Sequence, residues 1–457
     1  MRQLIILCCA ALSLAGCGVY DTYHRRQSVP ADLYGADSLH NDIADTAGIA
    51  SLPWRELFTD RRLQALIDSG LANNSDLRVA SLRVREAEAT LRASRLAYLP
   101  SLAAAPQGQM SSFDGAAAAK TYSLALSAQW ELDIAGRITN PKRAAAATVE
   151  MNRAYRQAVQ TQLVATIANS YYNLLTLDAQ LAISRRTLEN WKETVRALKV
   201  QKEVGESNEA AVSQAEADLQ QVEGNVLTLK RQISEQENAI SLLLGTVPHT
   251  VERGSLEAQV FPDKISTGVP LRILDRRPDV RQAEYALQRA FYATNSARAA
   301  FYPQATLSGT LGWANSDGAS IVNPGKWLWN AIGSITQPLF NRGENRANLE
   351  VAKAQQEEAA SAFRQSLMQA GAEVNNALVQ WQTAQKRLKI DSAQVAALRT
   401  TVAGTRLLQS HSDSKTYLEV LTAQQALLQA ELTEKQDIFA KIQGIINLYH
   451  ALGGGAD

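Results

Sequence analysis

The sequence predicts a mixed α+β membrane protein in which a few strands cross the membrane and long helices pair outside it. Three observations lead to this fold class. One long stretch has strand periodicity, several longer stretches have coiled-coil periodicity, and the whole pattern occurs twice. The 457 residues include 46 basic and 45 acidic side chains, a balance that offers no case for nucleic-acid binding.

The N-terminus matches the signal sequence of a lipoprotein. Arg2 and an apolar run precede Leu14-Ala15-Gly16-Cys17, where small residues stand directly before a cysteine. We expect residues 1–16 to be removed as a signal peptide, so that Cys17 carries a diacylglycerol and a further acyl chain such as palmitate. The alternative is an ordinary signal peptide that leaves the thiol unmodified. Residues 17–53 are polar and aperiodic, which predicts a lipid-anchored tether.

Two further features limit the fold. The mature chain would keep one cysteine, which excludes a disulfide framework and a cysteine-based metal site. After the signal peptide there is no apolar run of about 18 residues, so no helical membrane span is predicted and any crossing must use strands. Ordered structure is expected to start after Pro53, with a helix whose apolar stripe contains Leu63, Leu66, Ile67 and Leu71.

An internal duplication organises the chain. Asp76 matches Asp279 and Pro100 matches Pro303 at an offset of 203, whereas Val212 matches Val420 at an offset of 208. Each half is predicted to contain a helix, two strands, a long helix and a return helix. The predicted domains are a first repeat at residues 54–245, a linker at residues 246–275 and a second repeat at residues 276–457.

The strand signal is strongest at residues 121–133, where apolar and polar side chains alternate over 13 residues. A transmembrane strand with lipid on one side and water on the other fits this pattern; the alternative is an edge strand of a soluble α+β domain. The other predicted strands are residues 101–113, 304–315 and 327–340. Those at 101–113 and 327–340 alternate less cleanly, and Pro106 and Pro338 need positions that require no ladder N–H.

The helices have a coiled-coil period. Apolar residues from Leu177 to Leu198 and from Val212 to Leu243 recur at steps of three and four, and the second half repeats this pattern. Antiparallel pairs are predicted, joined at tips near residues 205–208 and 410–416. A helix over residues 142–200, of about 59 residues, would be about 90 Å long.

Four strands per chain predict an oligomer. The smallest membrane barrels have eight strands, and an open sheet edge in hydrocarbon leaves backbone groups unpaired. Several chains must therefore share one barrel. Two chains would supply eight strands and three would supply twelve, and twelve leave room for a lumen.

The chain resembles the TolC-like outer membrane efflux factor family, within it the lipoprotein branch that partners resistance-nodulation-division pumps. The resemblance covers the mature chain and rests on motifs that are weak singly and specific in this order. The motifs include Leu14-Ala-Gly-Cys17, Tyr98-Leu-Pro100, Trp130-Glu-Leu-Asp-Ile-Ala-Gly-Arg137, Leu274-Asp-Arg-Arg-Pro-Asp279, Phe301-Tyr-Pro303, Pro338-Leu-Phe340, Tyr417-Leu-Glu-Val-Leu421 and Ala451-Leu-Gly-Gly-Gly455.

The resemblance implies a homotrimer with a twelve-stranded β-barrel in the outer membrane, continuous with a periplasmic α-helical barrel. It also implies a periplasmic adaptor protein and an inner-membrane pump as partners. In the family, acidic residues near the second tip line the closed pore. Glu419 falls on the first such position, whereas Thr422 replaces the acid at the second. Three copies of Glu419 would form a ring that favours cations, and the alternative is a solvated glutamate on a helix face.

The predicted tips contain capping and turn residues. The resemblance implies that they also form the adaptor-docking surface, while the simpler interpretation is that they only end helices. These residues are Gly205, Ser207 and Asn208 in the first half, and Ser412, Ser414 and Thr416 in the second. The segment Arg276-Arg277-Pro278-Asp279 is predicted to be structural, with Asp279 beginning a helix.

Three functions are consistent with the sequence. The first is a passive exit duct for small molecules, the second a duct for secreted polypeptides, and the third a lipid-anchored periplasmic coiled-coil scaffold. An enzyme is not expected, because the five histidines are scattered and no nucleophile elbow or phosphate loop is present. No cofactor or metal is expected, and the sequence does not identify the exported compound.

Overall fold

The computed structural model describes residues 21–25, 52–115, 118–261, 277–315, 326–411 and 417–455. Several predicted features therefore lie outside the described residues. They are the signal peptide, the lipidation site Cys17, most of the tether, residues 262–275 of the linker, and the tip residues Ser412, Ser414 and Thr416.

The described chain follows the predicted order of elements. The helices are α1 (Trp54–Leu57), α2 (Arg61–Asn73), α3 (Ser75–Leu96), α4 (Thr139–Glu203), α5 (Glu209–Leu243), α6 (Pro278–Ala299), α7 (Glu344–His411) and α8 (Tyr417–Ala451). The strands are β1 (Ser101–Ser111), β2 (Ala119–Leu132), β3 (Gln304–Asn315) and β4 (Lys326–Thr336).

The internal repeat is visible in the helix lengths. Helices α3 and α6 each have 22 residues, and α5 and α8 each have 35. The long helices α4 and α7 have 65 and 68 residues. The bounds of α3 and α6 differ by 203 residues and those of α5 and α8 by 208. These are the offsets that the matched residues indicate, which supports the repeat.

The strands form one antiparallel sheet in the order β1-β2-β3-β4. Leu124 of β2 lies opposite Pro106 of β1 and Trp313 of β3, and Trp313 in turn lies opposite Trp327 of β4. Opposite residues of paired strands point to the same face of a sheet. The register therefore places Pro106 of β1 and Trp327 of β4, whose strands alternate weakly, on the same face as Leu124 of the clearly alternating β2. One face of the sheet is therefore mainly apolar, and it carries Leu102, Met110, Leu126, Trp130, Leu307, Leu311, Trp329 and Ile335.

Two predicted strands were too long. β1 ends at Ser111 rather than at residue 113, and the turn that follows contains Asp114 and Gly115, both with positive φ. β4 ends at Thr336 rather than at residue 340, because the chain leaves the sheet before Pro338, which has no N–H for the ladder. Pro106 lies in an outer strand of the sheet, as the sequence required.

The corner between β2 and α4 explains the motif Trp130–Arg137. The carboxylate of Asp133 accepts hydrogen bonds from the backbone N–H groups of Ile138 (2.9 Å) and Thr139 (3.1 Å), which caps the start of α4. Arg137 pairs with Glu131 at 2.9 Å, and the Trp130 indole donates to the carbonyl of Tyr98 at 2.8 Å. The motif therefore fixes the strand to the following helix.

The chain divides into two compact units that both draw on the two sequence halves. Unit 1 comprises Met1–Ser28, Ser81–Ala154 and Arg281–Ser366, and unit 2 comprises Val29–Ala80, Tyr155–Val280 and Leu367–Asp457. Unit 1 contains the sheet. None of the described helices is both long and apolar enough to cross a membrane.

The largest core lies in unit 2. Phe58 packs against Tyr449 with a ring-centroid separation of 6.3 Å, and Leu63 and Ile67 of α2 are fully buried beside them. A second core, nearer the end of α4, joins Trp191 and Val195 to α5 and to the start of α8. The predicted coiled-coil stripes are confirmed, because the positions that recur at three and four residues are those that these cores bury.

Candidate functional site

The α4–α5 tip is a compact helix-to-helix turn. Gly205 has φ of 81°, and the N–H groups of Gly205 and Glu206 donate to the carbonyls of Lys202 (3.1 Å) and Gln201 (2.8 Å). These two bonds form a Schellman motif, which requires the left-handed conformation that glycine adopts without strain. The predicted tip residue Gly205 is therefore needed to end α4.

Asn208 starts the return helix. Its side-chain oxygen accepts a hydrogen bond from the N–H of Ala211 at 2.9 Å, so it is the N-cap of α5. Lys202 and Glu209 form an ion pair across the turn. The tip also presents apolar side chains, because Val204 is 66% exposed and lies directly before Gly205. The structure thus brings Gly205, Ser207 and Asn208 together in one turn, in which Gly205 and Asn208 are exposed and the Ser207 hydroxyl is buried.

Glu419 and Thr422 lie on the exposed side of the first turns of α8. Between them, Val420 and Leu421 are buried, and Leu421 belongs to the core that contains Trp191. The Thr422 hydroxyl donates to the carbonyl of Leu418 at 2.8 Å. The core therefore holds the start of α8 while Glu419 faces outward at a helix N-terminus, where a negative charge is favourable.

A buried carboxylate farther along α8 was not predicted from the sequence. Glu431 accepts hydrogen bonds from Arg186 of α4 at 2.7 Å and from Arg399 of α7 at 2.8 Å. The Glu431 side chain is 6% exposed, whereas the two arginines are 60% and 59% exposed. The three residues connect three helices, and two cavities of about 360 and 380 Å³ open beside them.

A second set of acidic residues, Asp391 and Asp437, lies on α7 and α8. Asp437 of α8 pairs with Arg387 of α7 at 2.8 Å, and Asp391 of α7 is buried. Burial raises the pKa of Asp391 above its ordinary value, and the neighbouring Asp437 and Glu434 raise it further, while Arg387 acts in the opposite direction. Nothing in the spacing of these residues distinguished them from solvated charges on a helix face.

Arg277 and Asp279 have the structural role that was predicted for their segment. Arg277 pairs with Asp279 (2.7 Å) and Glu373 (2.6 Å) and donates to the carbonyl of Ala451 (2.8 Å). Burial opposes the charge of Arg277, but the two carboxylates outweigh burial and raise its pKa. Asp279 also accepts from the N–H of Val280 in the first turn of α6. Arg276 lies outside the described residues.

In the part of the chain that the structure describes, no group of three or more His, Cys, Asp or Glu side chains is placed to hold a metal ion. The described side chains of the α4–α5 tip and of the start of α8 instead form a protein surface that includes the charged residues Lys202, Glu209 and Glu419.

The comparisons with known proteins cover nearly the whole chain. A family model described as outer membrane efflux protein matches residues 66–246 and 269–454. Cation efflux system protein CusC of Escherichia coli (strain K12) is 32% identical over 454 residues, which are 98% of this chain and 98% of CusC. Solvent efflux pump outer membrane protein SrpC of Pseudomonas putida is 30% identical over 458 residues, which cover 98% of this chain and 97% of SrpC.

The fold has similar solved structures. The outer-membrane channel OprN superposes with a TM-score of 0.87 at 27% sequence identity, and the match covers 95% of this chain and 100% of the OprN chain.

Proposed function

Because the chain belongs to the outer membrane efflux protein family, we propose that it is the outer-membrane exit duct of a tripartite efflux system. In this role it conducts small molecules passively from a periplasmic adaptor and an inner-membrane pump to the outside. Cys17 carries the lipid anchor. The duct itself performs no chemistry, and the pump supplies the energy.

The observation that carries the proposal is the four-stranded sheet with one mainly apolar face. Leu126 is 56% exposed and Trp329 is 76% exposed, although both belong to regular strands. Large apolar side chains on an exposed sheet face fit contact with lipid. The opposite face carries polar residues such as Ser127 and Thr310, which suit a water-filled interior.

The edges of the sheet support an assembly in which several copies share one barrel, and we propose three copies because the family resemblance implies a trimer. Among the described strands, β1 pairs only with β2 and β4 only with β3, so each outer strand keeps one edge of 11 residues without a described partner strand. In hydrocarbon each unpaired backbone group costs several kcal/mol. Pairing of β4 of one copy with β1 of the next removes both edges. Three copies that are related by a threefold rotation axis then close a twelve-stranded barrel.

The tips support the docking and gating roles. Gly205 and Asn208 are exposed in a hydrogen-bonded turn with Val204 beside them, which suits contact with the adaptor, and we include the half-buried Ser207 in the same docking surface. We place the second tip, with Ser412, Ser414 and Thr416, on the same docking surface. Three copies of Glu419 form the acidic ring of the gate. Because Thr422 stands at the second position that is acidic in the family, the gate has a single acidic ring.

The exported compound follows the pump rather than the duct. CusC is named for cation efflux and SrpC for solvent efflux, yet both align along nearly the whole chain. Two ducts similar to this chain are thus named for different compounds, and we therefore propose small molecules as the exported class.

Single-channel conductance in a planar bilayer tests the proposal. The purified protein should conduct ions passively and prefer cations in a salt gradient. Glu419→Ala should move the reversal potential towards zero, because the ring loses three negative charges. Glu223→Ala is a matched control, since Glu223 is an exposed acid on α5 away from the gate. Absence of any conductance would contradict the duct, and an unchanged reversal potential would contradict the role of Glu419.

A further inference from the structure

The first described residues of the tether, 21–25, contact the helices of unit 1. The carbonyl of Asp21 accepts hydrogen bonds from Arg143 of α4 (3.4 Å) and Asn295 of α6 (3.5 Å). The N–H of Tyr23 donates to the hydroxyl of Tyr292 on α6 at 3.4 Å. Residues 21–25 therefore follow a defined course along these helices.

Arg25 makes two further contacts between this segment and the helices of unit 1. Arg25 lies over the ring of Phe363 on α7 at 5.1 Å, and it pairs with Glu284 on α6 at 3.7 Å. Burial raises the pKa of Tyr23 to about 12, and Glu284 adds to the effect. The segment is thus attached to three helices.

A basic cavity lies beside this segment, within unit 1. Its volume is about 540 Å³, and it is formed by α3, α4 and α6. Ala146 and Ala147 of α4 leave room at its base, because their side chains are small. The charged lining consists of Arg92, Arg95, Arg143, Arg153, Glu88 and Glu150.

The charges in the cavity do not cancel. Arg153 pairs with Glu88 at 2.7 Å and with Glu150 at 2.8 Å, so one arginine engages both acids. Arg92 and Arg95 stand one turn apart on α3 and are exposed, and among the described residues neither forms an ion pair. Two guanidinium groups therefore face a partly enclosed space with their donors available.

The cavity lies on the face that carries the tether. Arg143 and Tyr292 both line the cavity and contact residues 21–25, and Arg143 stacks over Tyr292 at 5.7 Å. Cys17 precedes Asp21 by four residues, which span at most about 14 Å when extended. The acyl chains on Cys17 would therefore enter the membrane close to the cavity. Arg95 also stands only six residues before β1 begins.

We propose that this cavity binds the phosphate group of an anionic phospholipid from the periplasmic leaflet of the outer membrane. The inference rests on the proposed membrane location and lipid anchor. Guanidinium groups bind phosphate oxygens in a bidentate manner. The volume is within the usual range for sites of small ligands. Inorganic phosphate offers the same chemistry without the acyl chains.

Native mass spectrometry of the full-length protein in detergent tests this site. The probes are phosphatidylglycerol, phosphatidylcholine and inorganic phosphate, each titrated alone. The test variant is Arg92→Gln/Arg95→Gln, and the matched control is Arg78→Gln/Arg85→Gln, which removes two exposed arginines of α3 outside the cavity. The test variant should lose about tenfold or more in affinity for phosphatidylglycerol, as expected for charge-assisted hydrogen bonds. The control should retain wild-type affinity.

Equal affinity for phosphatidylglycerol in all three proteins would overturn the proposal. Tighter binding of inorganic phosphate than of phosphatidylglycerol, lost in the test variant, would overturn the lipid source and assign the cavity to a soluble anion. Conductance of the same preparations separates this inference from the proposed function. Normal conductance with unchanged lipid binding would refute only the site, whereas absence of conductance in the wild-type protein would refute the duct.

Discussion

At the residue scale, the bridge centred on Glu431 joins three helices of unit 2 through one buried carboxylate. Glu431→Gln should lower the stability by about 1–3 kcal/mol, because two arginines lose their counter-charge. The cost should be smaller than for a fully buried ion pair, since Arg186 and Arg399 are more than half exposed and keep part of their hydration. The measurement is the midpoint of thermal unfolding in detergent.

Glu235→Gln is the matched control for that experiment. Glu235 pairs with Arg231 at 2.5 Å one turn away, but both side chains are exposed. A pair of this kind contributes about 0–1 kcal/mol. Equal shifts in the two variants would contradict the special role of Glu431.

The pair of Asp391 and Asp437 predicts a dependence of stability on pH. The pKa of Asp391 is raised in the folded protein, so folding favours its protonated form, and this contribution is lost as the pH rises through that pKa. Asp391→Asn should therefore raise the midpoint of thermal unfolding at pH 7. At about pH 3 the aspartate is protonated in both states, and the difference between variant and wild type should vanish. A variant less stable than wild type at pH 7 would contradict this interpretation.

The sequence could predict Asn208 and Gly205, because capping and turn chemistry is local. It could not predict the burial of Glu431 or Asp391, since each is buried by residues from helices that are distant in the chain. Their spacing alone is that of ordinary solvated charges. Tertiary contacts, rather than local preference, decide the role of such residues.

At the scale of elements, the close approach of α7 and α8 depends on Gly444. A Cβ atom at this position would lie 2.9 Å from the backbone N and Cα of Trp381. Gly444→Ala should therefore destabilise the protein by about 1–3 kcal/mol, because the two helices must move apart. Thermal unfolding of the purified variant measures this effect.

Gly224 in α5 provides the opposite case. A Cβ atom there would meet no atom within 4 Å, so Gly224→Ala should stabilise the helix by up to about 1 kcal/mol. A stabilising Gly444→Ala, or equal effects at both positions, would contradict the close helix contact.

The existence of the long helices was predictable because each repeats its apolar stripe over many turns, although α4 extends three residues beyond the predicted range 142–200 at each end. The bounds of β3 were predicted correctly, whereas β1 and β4 end earlier than predicted. β1 and β4 are outer strands with mixed faces, and their ends depend on where hydrogen bonding with the neighbouring strand stops. Asp114 and Pro338 mark these ends only once the register is known.

At the scale of the whole molecule, the account depends on the two outer strands of the sheet. In the described part of a single chain, β1 and β4 each have one edge without a partner strand. The sequence could indicate that several copies share a barrel, but the number of copies came from the family resemblance. Closure of the barrel is a property of the assembly, which one chain cannot contain.

The mass of the protein particle extracted from the outer membrane tests this central claim most directly. Light scattering with correction for bound detergent gives the protein mass alone. We expect three chain masses for the wild-type protein in mild detergent. A stable particle with the mass of one chain would contradict the shared twelve-stranded barrel and, with it, the proposed duct.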